Sequence, residues 1–174
     1  MKLMLPNVRL AFPQLWVAAR VNGEGEPAFS AALLLEPNHA SIKELEKAFV
    51  AVAKEKWGAK ADAVLKAMRS TDKLCLHDGD TKSNYDGFPG NMFVSARSKV
   101  RPLVIDRDRT PLAQEDGKPY SGCYVNAQIE LWAQDNKFGK RINAQLRGVQ
   151  FFRDGDAFAG GGTSADADEF GDLS

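Results

Sequence analysis

From Gly122 to Gln134 the chain alternates: Cys123, Val125, Ala127, Ile129, Leu131 and Ala133 fall on one face of an extended strand, a clean core face. Tyr124, Asn126, Gln128, Glu130, Trp132 and Gln134 fall on the other, so two large rings stand where water would normally be. The same division of Met92 to Arg101 turns Met92, Val94, Ala96, Ser98 and Val100 inward and Phe93, Ser95, Arg97, Lys99 and Arg101 outward. In Lys140 to Arg147 the apolar set is Ile142, Ala144 and Leu146, which leaves Arg141, Asn143, Gln145 and Arg147 outward. A face that mixes flat rings, cations and amides can stack an unpaired base, neutralise the adjoining phosphate and hydrogen-bond base edges without demanding a sequence.

Two loops extend that face. The turn Asp135-Asn136-Lys137-Phe138-Gly139 sets Lys137 and Phe138 beside Lys140 and Arg141, and the Gly- and Pro-rich stretch from Asp78 to Asn91 offers Tyr85 and Phe88. A helix or a second copy of the chain lying on the sheet would also explain outward rings. It would not explain the cations Arg97, Lys99, Arg101, Arg141 and Arg147 among them, because a covered face does not hold unpaired charge. Lys43, Lys47, Lys54 and Lys56 by contrast read as the solvated side of a helix.

Other chemistries find little support. Cys75-x-His77-Asp78-x-Asp80 has the start of a metal-site spacing, yet the only other histidine is His39 and Lys82 stands where a calcium loop needs an oxygen ligand. No Walker loop, nucleophile elbow, HExxH or paired-carboxylate pattern occurs, so no catalytic residue, metal or cofactor is expected.

The elements that must position this face follow from periodicity. Val8 to Phe12 and Ala28 to Leu35 read as paired strands, separated by Asn22-Gly23-Glu24-Gly25 and Pro27. Ser41 with Glu44 makes a capping box, and Ile42, Leu45, Phe49, Val52 and Trp57 recur at helical spacing. Gly58 ends that helix, and a shorter one is predicted over Lys60 to Arg69. Strands return at Met92–Arg101, Leu103–Asp106, Gly122–Gln134 and Lys140–Arg153, with a phase change permitted at Gly148. Strands, then helices, then strands predict an α+β domain on a mainly antiparallel sheet, of the OB-fold type: a five-stranded barrel with a helical insertion at about residues 41–69.

The chain has 174 residues, 44% of them hydrophobic and 26% charged, enough for one domain of residues 1–153 followed by a tail. Its formal net charge of zero hides a division. Residues 1–153 carry all 23 Lys and Arg against 17 Asp and Glu, while residues 154–174 carry six carboxylates and no cation. A basic body with an acidic tail is a plan for binding single strands. The tail is expected to be disordered. Within it Asp166, Asp168, Glu169, Phe170 and Asp172 form a candidate docking motif, since a purely solubilising tail has little use for Phe170 and Leu173. Two cysteines, no secretory leader and no run long enough to cross a bilayer predict a cytoplasmic protein with free thiols and no membrane partner.

The segment Ser121-Gly-Cys-Tyr-Val-Asn-Ala-Gln-Ile-Glu-Leu-Trp-Ala-Gln-Asp-Asn, followed by Gly139-Lys-Arg-Ile-Asn-Ala and Gly148-Val-Gln-Phe-Phe-Arg-Asp-Gly, resembles bacteriophage and prophage single-stranded-DNA-binding proteins, a family once known only as a domain of unknown function. Val8-Arg-Leu-Ala-Phe-Pro13 and Gly87-Phe-Pro-Gly90 extend the likeness over the body of the chain. The resemblance implies an OB-fold that binds single-stranded DNA regardless of sequence in phage replication or recombination. It also implies an acidic tail that meets replication or recombination proteins, and the tail's charge of −6 tethered to a basic body predicts that it competes with DNA. Phe170 is followed by four more residues, so docking through a terminal Phe is not carried over. A phage assembly protein using the aromatic face as a protein interface is the alternative, and a homodimer is compatible with either.

Overall fold

The computed structural model describes residues 1–21, 24–158, 171 and 173. Seven strands form one sheet: β1 (Lys2–Val21), β2 (Glu24–Leu35), β3 (Leu76–Asp78), β4 (Met92–Ser98), β5 (Leu103–Ile105), β6 (Tyr124–Asn136) and β7 (Gly139–Arg153). Two helices, α1 (Ala40–Trp57) and α2 (Ala61–Ser70), lie between β2 and β3. β1 pairs antiparallel with β2 and β6, β2 with β4, and β6 with β7. A short parallel pairing, Ala96 opposite Ala144 and Arg97 opposite Gln145, joins β4 to β7 and closes β1-β2-β4-β7-β6 into a barrel. Five strands, closure and a helical insertion are the predicted OB-type architecture. β3 and β5 are short additions at the edges of β4 and β7.

β1 is far longer than the predicted Val8–Phe12 because it absorbs Pro6 and Pro13 at irregularities. Its register shifts between Leu5 and Val8 against β6 and between Ala11 and Gln14 against β2. Asn7 and Phe12 there adopt φ of 52° and 48°. A proline cannot donate to a ladder, and a bulge is where no donor is needed. The phase change on β7 also falls where expected. Ile129 faces Leu146 but Gln128 faces Gly148, so Arg147 is the extra residue and Val149 and Phe151 rejoin the core.

The cap of α1 differs from the predicted capping box. His39 is the N-cap: its Nδ1 accepts from the Ser41 N–H at 3.0 Å while its Nε2 lies 2.9 Å from the Pro6 carbonyl oxygen. Both bonds are made by the neutral tautomer with its proton on Nε2, which ties the helix start to β1. Leu45, Phe49, Val52 and Ala53 then bury the inner stripe of α1 against the barrel. Full burial of one such large apolar side chain contributes ~1.5–3 kcal/mol.

Cys75 and Cys123 are buried and unpaired. Burial pushes the Cys75 thiol up to about 12 and that of Cys123 up to about 11, so both stay protonated and unreactive at neutral pH.

Candidate nucleic-acid interface

The barrel wall carries an open groove of about 970 Å³ that straddles the β4–β7 closure. One side is the start of β2, with Glu26 and Pro27, and the other is the paired arms of β6 and β7. Arg97 at the end of β4 lies beside Gln145. Asn143 and Arg141 follow on the same outward face of β7, opposite Trp132 and Gln134 of β6. Trp132 remains 48% exposed, with its ring at the groove. Asn143 Nδ2 donates to Gln134 Oε1 at 3.0 Å, which holds the amides in place. Lys99 stands at the rim 2.6 Å from Glu26, and that ammonium, by hydrogen bond and charge, draws the Glu26 carboxyl below its ordinary range.

Lys73 and His77 complete the lining and were not among the predicted residues. Lys73 sits just past α2, where its carbonyl accepts from the Ile142 N–H at 3.3 Å and so joins β7. His77 Nδ1 lies 2.7 Å from Asp72 Oδ1, with its ring 5.1 Å from that of Phe93. Strand alternation marks neither residue as part of the groove, because only the tertiary pairing of 73–77 with β4 and β7 brings them there.

The other predicted residues are dispersed. Phe93 does point outward, but Phe88 folds over it at 5.0 Å between ring centroids, and the two are 3% and 1% exposed. With Ala11 and Leu34 they form a second small core, so neither ring is open to a base. Tyr124 lies eight residues from Trp132 on β6, about 27 Å along the strand. Its ring is occupied by the Arg153 guanidinium at 3.6 Å, with Arg9 at 5.5 Å. Arg101 turns away to donate to the Trp16 carbonyl at 3.0 Å. Arg147, the bulge residue, pairs with Glu130 at 3.0 Å, and Val100 is exposed rather than inward. At the β6–β7 tip Phe138 is 73% exposed beside Lys137, and Lys140 lies 3.9 Å from Asp135. The Trp57 indole N–H donates to Asp135 Oδ2 at 2.9 Å, which fastens this hairpin to α1. Tyr85 is exposed on the 79–91 loop. Asp166, Asp168, Glu169, Phe170 and Asp172 lie outside the described residues.

Packing continues beyond Arg153 as a strap of residues 154–158. The Tyr120 hydroxyl donates to Asp154 Oδ1 at 2.6 Å, Arg9 Nη2 donates to the Asp156 carbonyl at 2.8 Å, and the Phe158 N–H donates to the Ser121 carbonyl at 3.0 Å. Arg9 also covers the Phe158 ring at 4.3 Å. The hydrogen bond to Asp154 raises the Tyr120 phenol above its ordinary range.

Comparison with known proteins places this barrel in a family. A family model described as "Enterobacter phage Enc34, ssDNA-binding protein" matches residues 1–174. Protein p50 of Acyrthosiphon pisum secondary endosymbiont phage 1 is 49% identical over 177 residues, spanning 100% of this chain and 95% of its own. The single-stranded DNA-binding protein from bacteriophage Enc34, solved in complex with ssDNA, superposes with a TM-score of 0.75 at 27% identity over 90% of this chain and 88% of that one. The gp2.5 protein of bacteriophage T7 shares the fold, with a TM-score of 0.60 at 13% identity over 95% and 98% of the two chains. With the family model matching the whole chain and the fold shared with the Enc34 protein, this chain belongs to the Enc34 family of single-stranded-DNA-binding proteins, a class of binding proteins and not of enzymes.

Proposed function

We propose that this protein coats single-stranded DNA without regard to sequence during phage DNA replication or recombination in the host cytoplasm. The observation that carries the reading is the groove itself: one exposed indole, Trp132, among Lys73, Arg97, Lys99 and Arg141, with Gln134, Asn143 and Gln145 as its polar lining. A base stacks on Trp132 while neighbouring phosphates meet the cations, and the amides bond whichever base edge arrives. Lys99 must exchange Glu26 for a phosphate, an ion exchange that leaves its charge satisfied throughout.

Titration of a fluorescent oligo-dT at several salt concentrations, beside a duplex of equal length, tests this. If the four groove cations are neutralised by phosphate, log K against log salt is expected to fall with a slope of about −3 for single strands, and the duplex is expected to bind far more weakly. Equal affinity for duplex, or salt-tolerant self-association without oligonucleotide binding, would point to an assembly role instead.

The tail belongs to the same proposal. Beyond the strap, the four carboxylates Asp166, Asp168, Glu169 and Asp172 are tethered to the barrel and compete with phosphate at high effective concentration, and the same motif can be offered to replication or recombination proteins once DNA displaces it. Because residues 154–158 pack on the barrel, the informative truncation begins after Phe158. Removing residues 159–174 is expected to tighten oligo-dT binding at low salt and to leave the unfolding midpoint unchanged. Unaltered affinity would leave the tail with partner docking alone.

A further inference from the structure

We infer that a second base-stacking platform, formed by Phe12 and Tyr85, continues the groove across the outer face of β2 and β1. This rests on the groove being the single-strand site. The two rings meet edge to face at 5.0 Å between centroids and are 36% and 37% exposed, so each keeps a free surface although both have apolar neighbours. Phe88 buttresses them from behind, 5.8 Å from Phe12 and 6.0 Å from Tyr85. Behind Phe88 lies Phe93, so the pair is held from the inner core outward rather than hanging from a loose loop. The loop itself is fixed at its ends: the Gly79 N–H donates to the Asn91 carbonyl at 2.7 Å, and Asp80 Oδ1 accepts from the Gly90 N–H at 2.8 Å.

Phe12 holds φ of 48°, a conformation that a bulky aromatic residue adopts at a cost, and it does so next to Pro13. Strain of this kind persists where the surroundings enforce it, and it clusters where side chains meet ligands. Here the bulge departs from strand alternation and delivers the Phe12 ring to Tyr85. An unstrained strand would instead turn position 12 inward, to the face that Leu10 gives to the barrel core.

Cross-strand register connects this pair to the groove. Ser95 and Arg97 line the groove on β4, Ala32 and Ser30 stand opposite them on β2, and Ala11 and Gln14 stand opposite those on β1. Phe12 lies between Ala11 and Gln14, two strand spacings or about 10 Å from the groove wall. The β2 residues in register between Arg97 and Ser95 on one side and the aromatic pair on the other are Ser30 and Ala32, both small. Proteins of this architecture engage about 4–16 nucleotides per barrel, a range that spans the difference between the groove alone and the groove with this extension.

The test compares two oligo-dT lengths, about four and about sixteen nucleotides, on the full chain. Tyr85→Ala is expected to weaken the long oligonucleotide about ten-fold and to leave the short one within two-fold, with Tyr85→Trp restoring the long-strand affinity. Phe12→Leu is expected to act in the same direction. Should Tyr85→Ala leave both lengths unchanged while Trp132→Ala weakens both, the extension is wrong and the groove stands. Should Tyr85→Ala weaken both equally, the residue supports the fold and not a second platform. If Trp132→Ala also leaves both lengths unchanged, the groove reading fails with it.

Discussion

Trp132→Ala is expected to weaken single-stranded DNA binding by ~1–3 kcal/mol, a loss of about five-fold to more than a hundred-fold, with no matching loss of stability. The asymmetry follows from where the ring sits. Its strand neighbours Leu131 and Ala133 turn inward and hold β6 in the barrel, whereas the indole projects from the outer face and leaves 48% of its surface to solvent. Little apolar burial is lost on truncation, but the stacking surface disappears. Trp132→Phe keeps a ring and is expected to keep most of the affinity. Equal binding by wild type and the alanine variant, measured by oligo-dT titration, would remove the residue from the site.

The largest effect on stability is expected at Gly122. Its φ of 105° is open to glycine and costly for any other residue, and a Cβ there would overlap the carbonyl oxygen of Asp156. Its own N–H donates to the Leu10 carbonyl at 2.7 Å, and its carbonyl accepts from Arg9 Nε at 2.9 Å, so the backbone cannot move aside without breaking the β1 contact. Backbone strain and overpacking each contribute ~1–3 kcal/mol, so Gly122→Ala is expected to cost about 2–6 kcal/mol in urea unfolding. In a chain ending at Arg153 the overpacking part is relieved and only the strain remains. A loss no larger in the full chain than in the chain ending at Arg153 would show that the strap is loosely held.

The local signals in the sequence were reliable where one period dominated. The alternation of residues 122–134 placed every core residue of β6 correctly, and the phase change at Gly148 was visible because apolar spacing broke there. β1 was underestimated because Pro6 and Pro13 punctuate it, and nothing local distinguishes a proline that ends a strand from one seated in a bulge. The short β3 had no periodicity to read. At the candidate site, alternation told outward from inward for Phe93 and Tyr124 but could not show that Phe88 would lie over the first or Arg153 over the second. Which outward residues share a surface depends on the pairing of β4 with β7, a contact between distant parts of the chain. That pairing is why Arg97, Arg141 and Trp132 come together while Arg101 and Tyr124 do not.

The groove straddles the seam where the sheet meets itself, since Arg97 and Gln145 are neighbours only through the β4–β7 pairing. On the proposed reading of the groove, an ensemble with every hairpin formed and that seam open would possess all of the same side chains and no binding surface. Occupancy by DNA therefore draws the population toward the shut form by mass action, so a chain working on abundant single strands resists heat and proteases beyond the intrinsic stability of its core.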